Sequence, residues 1–251
     1  MSAEAVVVGV GELGGLFAHG FLRSGLTVVP VRRRDPLATV AQTHPSPDLV
    51  LVAVGEDDLD AVLASCPVTW RKRVCLIQNE LLPHAWQAHD LTTPTVCVVW
   101  FEKKRGKAVK ELLPSVVHGP AAARLVQALT EVGIGSRVAE SSDDLLTALI
   151  EKNAYILTTN LAGMRTGGTV EELFDAHREF ALSVLAEVIE LQSALTSTTV
   201  NADAILTTVE RAVQADPAHQ CTGRSAPRRL ERALAHGDRL GLSLPVLRGL
   251  T

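Results

Sequence analysis

The sequence predicts an α/β domain built on a parallel sheet, followed by an all-helical domain. Three observations carry this. Short apolar runs alternate with helical stretches through the first half: Ala5–Val8, Thr27–Val31, Leu49–Val54, Val74–Ile77 and Val96–Val99. These runs are nearly continuously apolar, as in strands covered by helices on both faces, whereas strands with one wet face alternate. Beyond Glu140 only helical patterns remain, and the chain of 251 residues is long enough for two domains.

The elements follow in order. Glu12–Ser24 reads as a helix that Gly25 closes, and Asp57–Ser65 as a shorter one. The stretch RRDPLATVAQTHPSP between the second and third runs leaves room for at most a brief helix. A strand at Ser115–His118, a helix at Ala121–Val132 and a strand at Ser136–Val138 complete a first domain over residues 1–140. In the second domain, 141–251, Ser141 caps a helix with Asp144 at its third position, running to about Met164. Arg165-Thr166-Gly167-Gly168 breaks it. The capping box Thr169-Val170-Glu171-Glu172 opens a long helix through Ala194, Asn201 caps a helix to Ala215, and a last helix spans Ala226–Leu240.

Composition narrows the function classes. The net charge is −4 and aromatics are 4%, so neither a basic nucleic-acid footprint nor a stacking platform is expected. Cys66, Cys75, Cys97 and Cys221 form no Cys-X-X-Cys pair and have no His at metal-ligand spacing, which excludes a zinc ribbon and a disulfide scaffold. No apolar window reaches membrane-spanning length, and no basic segment precedes the first apolar run. The expectation is a cytoplasmic protein with no metal, membrane or nucleic-acid partner.

The sharpest motif is Gly9-Val10-Gly11-Glu12-Leu13-Gly14, set between a strand and a helix. Gly9 permits the tight turn, Gly11 lets backbone N–H groups approach a pyrophosphate, and Gly14 lets the helix pack on the strand. The helix N-terminus adds partial positive charge. This is a Rossmann-type dinucleotide loop. After the second strand, where NAD-binding chains usually place an acid, the sequence reads Arg32-Arg33-Arg34-Asp35. Arg32, the first residue past the strand, suits a 2′-phosphate, and Asp35 falls too late to serve a ribose, so NADP is the expected cofactor.

The glycine loop, Arg32, "LIQNE" after the fourth strand, "VVHGPA", "EKNAYILTTNLAG" and the closing "RLGLSLPV" together resemble the ketopantoate reductase (2-dehydropantoate 2-reductase) family. The resemblance spans the whole chain, though this chain is shorter than usual members. It implies reduction of an anionic 2-keto acid to a 2-hydroxy acid with NADPH, a place in pantothenate biosynthesis, and a homodimer as the candidate assembly. It assigns Lys152 to polarising the keto group, Gln78 and Asn79 to the cofactor side, and Asn160 to the substrate. Lys152, Ile156, Thr159 and Asn160 share one helix face.

The chain departs from that family at four places. Ile156 replaces an asparagine one turn after the lysine, Glu80 replaces a glycine, Gly55 stands where a lysine is common, and Thr222-Gly223-Arg224-Ser225 lacks the C-terminal acid. These losses predict weak activity on ketopantoate and a preference for a more apolar side chain. They also support the alternative of a catalytically degenerate NADP(H)-binding protein, with a protein–protein module as a third reading. Glu80 and Glu102 are candidate replacements for the acid, Trp100 reads as a core tryptophan with a wall of the nicotinamide pocket as the alternative, and one of Arg224, Arg228, Arg229 and Arg232 is a candidate carboxylate binder. Tyr155 reads as a packed aromatic and Lys103–Lys107 as a solvated basic loop or a steering patch.

Overall fold

The computed structural model describes residues 3–251. Met1 and Ser2, which open the expected first domain, lie outside them. The chain divides into two compact units, one up to Ala148 and one spanning Leu149–Thr251.

The first unit begins with β1 (Glu4–Val8), α1 (Glu12–Arg23), β2 (Thr27–Val31), α2 (Leu37–Thr43), β3 (Leu49–Val52), α3 (Glu56–Ala64) and β4 (Val74–Leu76). It continues with α4 (Pro83–Gln87), β5 (Thr95–Val98), β6 (Phe101–Glu102), β7 (Lys110–Glu111), β8 (Ser115–His118), α5 (Ala122–Glu131) and β9 (Ser136–Val138). Seven strands form one sheet in the order β2-β1-β3-β4-β5-β8-β9. The pairs among β1 to β5 are parallel, β8 lies antiparallel to β5, and β9 runs parallel to β8. The sheet is thus mostly parallel, with the last two strands reversed.

Four of the five apolar runs become inner strands with both faces covered, whereas the second, β2, lies at the sheet edge and buries only Val31, because no strand pairs with its outer side. Every residue of β3 and β5 is buried. On one face Phe17 and Phe21 of α1 pack with Leu125 and Leu129 of α5 over Val7, Leu49, Cys75 and Cys97. Each fully buried apolar side chain of this kind contributes roughly 1.5–3 kcal/mol. Some short elements escape a reading by periodicity. Helix α4 has five residues, and β6 with β7 makes a two-residue hairpin on which Phe101 pairs Glu111. Both are too short to show a period.

Helix α6 (Ser142–Thr166) crosses from the first unit into the second, which adds α7 (Val170–Ala176), α8 (Arg178–Thr196), α9 (Ala202–Ala215), α10 (Ala226–Leu240) and α11 (Pro245–Arg248). The expected caps form: the Ser141 hydroxyl accepts from Asp144 N at 3.1 Å, and Asn201 Oδ1 accepts from Asp203 and Ala204, both at 3.1 Å. Thr169 and Glu172 make a reciprocal capping box at 2.8 and 3.2 Å. The helix it opens does not run to Ala194, however. It stops at His177, whose φ of −125° and ψ of 28° leave the helical range, and α8 starts anew at Arg178. A one-residue corner barely disturbs the apolar spacing: α7 still buries Leu173 and Phe174, and α8 still buries Ala181, Val184 and Leu185. The sequence pattern therefore reads straight through it.

The C-terminal segment is held by a buried acid. Glu187 of α8 accepts from Val246 N at 2.7 Å and Leu247 N at 2.8 Å, which satisfies the first donors of α11. No helix among the described residues is long and apolar enough to cross a membrane.

Candidate active site

The glycine loop adopts the geometry its spacing predicts. Gly9 has φ +91°, and a Cβ there would lie 2.7 Å from the Ala53 carbonyl oxygen. A Cβ on Gly14 would lie 1.9 Å from the Gly9 oxygen, so α1 can pack this close to the turn only without a side chain. A Cβ on Gly11 would meet nothing within 4 Å, so the loop presents an open cradle beside the first N–H groups of α1. Gly11, Glu12 and Leu13 supply those groups, and Glu12 occupies the first turn. A cavity of about 720 Å³ runs from Gly9 and Gly11 past Val31, Arg32 and Arg33 to Asp35, Asp58 and Ala61. The cradle, the helix end and this cavity fit a dinucleotide.

The end of β2 differs from expectation in one respect. Asp35 is not too late to reach the site. It lines the same cavity, its carboxylate accepts from Arg32 N at 2.9 Å, and the carboxylate accepts from Arg32 Nε at 3.2 Å. The backbone and side-chain bonds from Arg32 hold the Asp35 carboxyl below its usual value. A turn over Arg33 and Arg34, closed by Asp35 N donating to Arg32 O at 2.9 Å, folds the chain back, which sequence counting along an extended strand misses. Arg33 is paired as well, with Asp58 of α3 at 2.5 Å. The Arg32 side chain remains 58% exposed.

At the end of β4 the Gln78 amide donates to Val52 O at 2.7 Å and Val54 O at 3.2 Å, while its oxygen accepts from Ile77 N at 3.1 Å. Its side chain thus ties β4 to the end of β3. Half-buried Asn79 follows, and then Glu80 with φ +58°. Glu80 therefore keeps the left-handed backbone that suits glycine, the residue found there in the family the sequence resembles.

Lys152 lies in the middle of α6 and is 9% exposed, with Nζ 5.7 Å from the centre of the Tyr155 ring. It is not a solvated edge lysine. Neighbouring Glu151 accepts from Thr208 Oγ1 at 2.9 Å. Ile156, one turn on, is buried. Two turns on, Asn160 accepts from Arg229 Nη1 at 2.6 Å and donates to Cys221 O at 3.1 Å. Arg229 is 9% exposed and is placed against Asn160. Trp100, at 2% exposed, is a core residue, as read from the sequence. Among the described residues no group of three metal-ligating side chains converges.

No protein-family model and no curated sequence matches the chain. Solved structures do. A 2-dehydropantoate 2-reductase from Geobacter metallireducens superposes with a TM-score of 0.70 at 18% identity, covering 98% of this chain and 97% of that one. The chain has the ketopantoate reductase fold. A dimeric ketopantoate reductase from Staphylococcus aureus matches with a TM-score of 0.67 at 16% identity over 98% of this chain and 95% of its own. A D-mandelate dehydrogenase solved with NADH matches with a TM-score of 0.69 at 13% identity over 99% and 96%. The neighbours are thus two reductases of a keto acid and a dehydrogenase of a 2-hydroxy acid, all on this same fold.

Proposed function

We propose that this chain is an NADP-dependent reductase of a 2-keto acid. The observation that carries the reading is the open glycine cradle leading into the Arg32 cavity, on a fold shared with nicotinamide-dependent reductases. When bound, the nicotinamide supplies the hydride. Lys152 donates a hydrogen bond to the carbonyl oxygen and then a proton as charge develops there. Asn79 contacts the cofactor. Asn160 acts on the substrate through Arg229, whose guanidinium is the group suited to an anionic substrate.

Arg32 is proposed to take the 2′-phosphate. Asp35 engages only its Nε, and the exposed terminal amino groups are open to a phosphate. The dimeric state of the Staphylococcus aureus neighbour supports a homodimer here. Buried Ile156 beside Lys152 supports a substrate with a more apolar side chain than ketopantoate.

The test is titration with NADPH and NADH, followed by turnover on a panel of 2-keto acids for wild type and Lys152→Ala. The expected result is tighter NADPH binding, retained in the variant, with turnover lower by about 10²–10³-fold. Tight NADPH binding without turnover in wild type would favour the degenerate binder. Absence of nucleotide binding would overturn both readings.

A further inference from the structure

The hairpin of β6 and β7 is docked on the nucleotide-binding end of α1 by two contacts in register. Phe101 of β6 and Lys103, just past its end, both reach α1. Phe101 packs tilted against Phe17 of α1 with ring centres 6.2 Å apart. Lys103 Nζ lies 3.7 Å from the Glu12 carboxylate in the first turn of the same helix. The ammonium also donates to Lys104 O at 3.2 Å and Lys107 O at 2.5 Å, which holds the loop closed around it. The Lys103 side chain is 22% exposed, whereas Lys104 pairs with Glu102 in the open at 62%. The basic run therefore contains one lysine built into the structure.

Glu12 poses an electrostatic problem for the function proposed above. A carboxylate in the first turn interacts favourably with the positive end of the helix. A pyrophosphate seeks that same end. Two anionic groups would then compete within a few ångströms, and each would raise the cost of the other. A cation held against Glu12 removes that conflict and leaves the N–H groups of the cradle to the phosphates.

We propose that Lys103 is a positioning residue for the nucleotide phosphates, acting by neutralising Glu12 at the N-terminus of α1. The proposal rests on the dinucleotide reading of the glycine loop. It gives the hairpin, an element with no other evident task, a defined role at the site.

The experiment is calorimetric titration of ADP, adenosine and NADPH into wild type, Lys103→Met, Glu12→Gln and the double variant, with thermal unfolding of each. Lys103→Met should weaken ADP binding roughly three- to tenfold and leave adenosine binding within about twofold. Adding Glu12→Gln to Lys103→Met should restore ADP affinity to within about twofold of wild type, which loss of a merely structural contact would not allow. Glu12→Gln alone should tighten ADP, an arm that stands even if Lys103→Met folds poorly. The proposal is overturned by unchanged ADP affinity in Lys103→Met, by equal loss for adenosine, by absence of rescue, or by weaker ADP binding in Glu12→Gln. If wild type binds ADP and NADPH and one of these results appears, only the role of Lys103 falls. If wild type binds no nucleotide, the dinucleotide reading falls with it.

Discussion

The guanidinium of Arg229 donates to the side-chain oxygen of Asn160 at 2.6 Å, and the amide of Asn160 donates onward to the Cys221 carbonyl at 3.1 Å. One asparagine thus joins α6, α10 and the loop before α10. Asn160→Ala removes one acceptor of a buried guanidinium and should destabilise the protein by about 1.5–3 kcal/mol, the range for a hydrogen bond to a charged group. Asn160→Asp keeps an acceptor for Arg229 and should lose much less. Urea unfolding of both variants checks this, and equal losses would show that the Arg229 contact contributes little.

Asp35 should restrain the preference for NADPH. Its carboxylate lines the Arg32 cavity and ties down the Arg32 Nε, so it stands close to the phosphate proposed there. In Asp35→Asn the negative charge is gone and NADPH should bind roughly three- to tenfold tighter, with NADH little changed. Fluorescence titration with both nucleotides measures it. Weaker NADPH binding would mean that Asp35 serves to aim Arg32 rather than to restrain it.

Glu80 sits at φ +58°. An L-residue with a side chain in this region costs roughly 1–2 kcal/mol, part of which glycine returns through the greater entropy of its unfolded chain. Glu80→Gly should therefore stabilise the protein by about 0.5–1 kcal/mol in denaturant titration. A clear destabilisation would show that the Glu80 side chain contributes contacts worth more than the strain.

Asp144 gives a pH dependence. Its carboxylate accepts from Arg137 at 2.5 and 2.8 Å and from Glu140 N at 2.9 Å, and the Arg137 side chain first, then the Glu140 backbone, lowers its pKa from 3.8 to about 2. A depressed carboxylate pKa stabilises the fold above the unfolded value and loses that contribution as pH falls through the folded value. The benefit is thus complete above about pH 4–5 and lost towards pH 2. Asp144→Asn should be less stable than wild type at pH 7, by at most about 1 kcal/mol because the ion pair is partly exposed, and the two should converge near pH 2. Thermal unfolding from pH 2 to 7 follows this, and a constant gap would assign the effect to the cap rather than to the charge.

Burial governs the thiols. Desolvation pushes Cys66 and Cys221 up to about 11 and Cys75 up to about 12, so none forms much thiolate near neutrality. Native protein at pH 8 should react with a thiol reagent far more slowly than urea-unfolded protein. Rapid labelling of one cysteine in the native state would reveal local opening at that residue.

Local chemistry alone determined a good deal of this protein. The apolar runs specify strands, four of the five buried on both faces, Thr169 with Glu172 and Asn201 specify helix starts, and the spacing of Gly9, Gly11 and Gly14 specifies the turn, because each depends only on residues a few positions apart. The alternation of strands and helices then implies a mostly parallel sheet. Other features depended on residues distant in sequence. The reversal of β8 against β5, the corner at His177 and the short hairpin have no period to read. Asp35 reaches Arg32 because the chain turns back at Arg33 and Arg34. Arg229 reaches Asn160 across 69 residues, and Lys103 reaches Glu12 because Phe101 finds Phe17. A charged side chain looks the same in a sequence whether it lies in solvent or against an opposite charge. Only packing of the elements that carry it decides which, and with that the chemistry available to Lys152, Arg229 and Lys103.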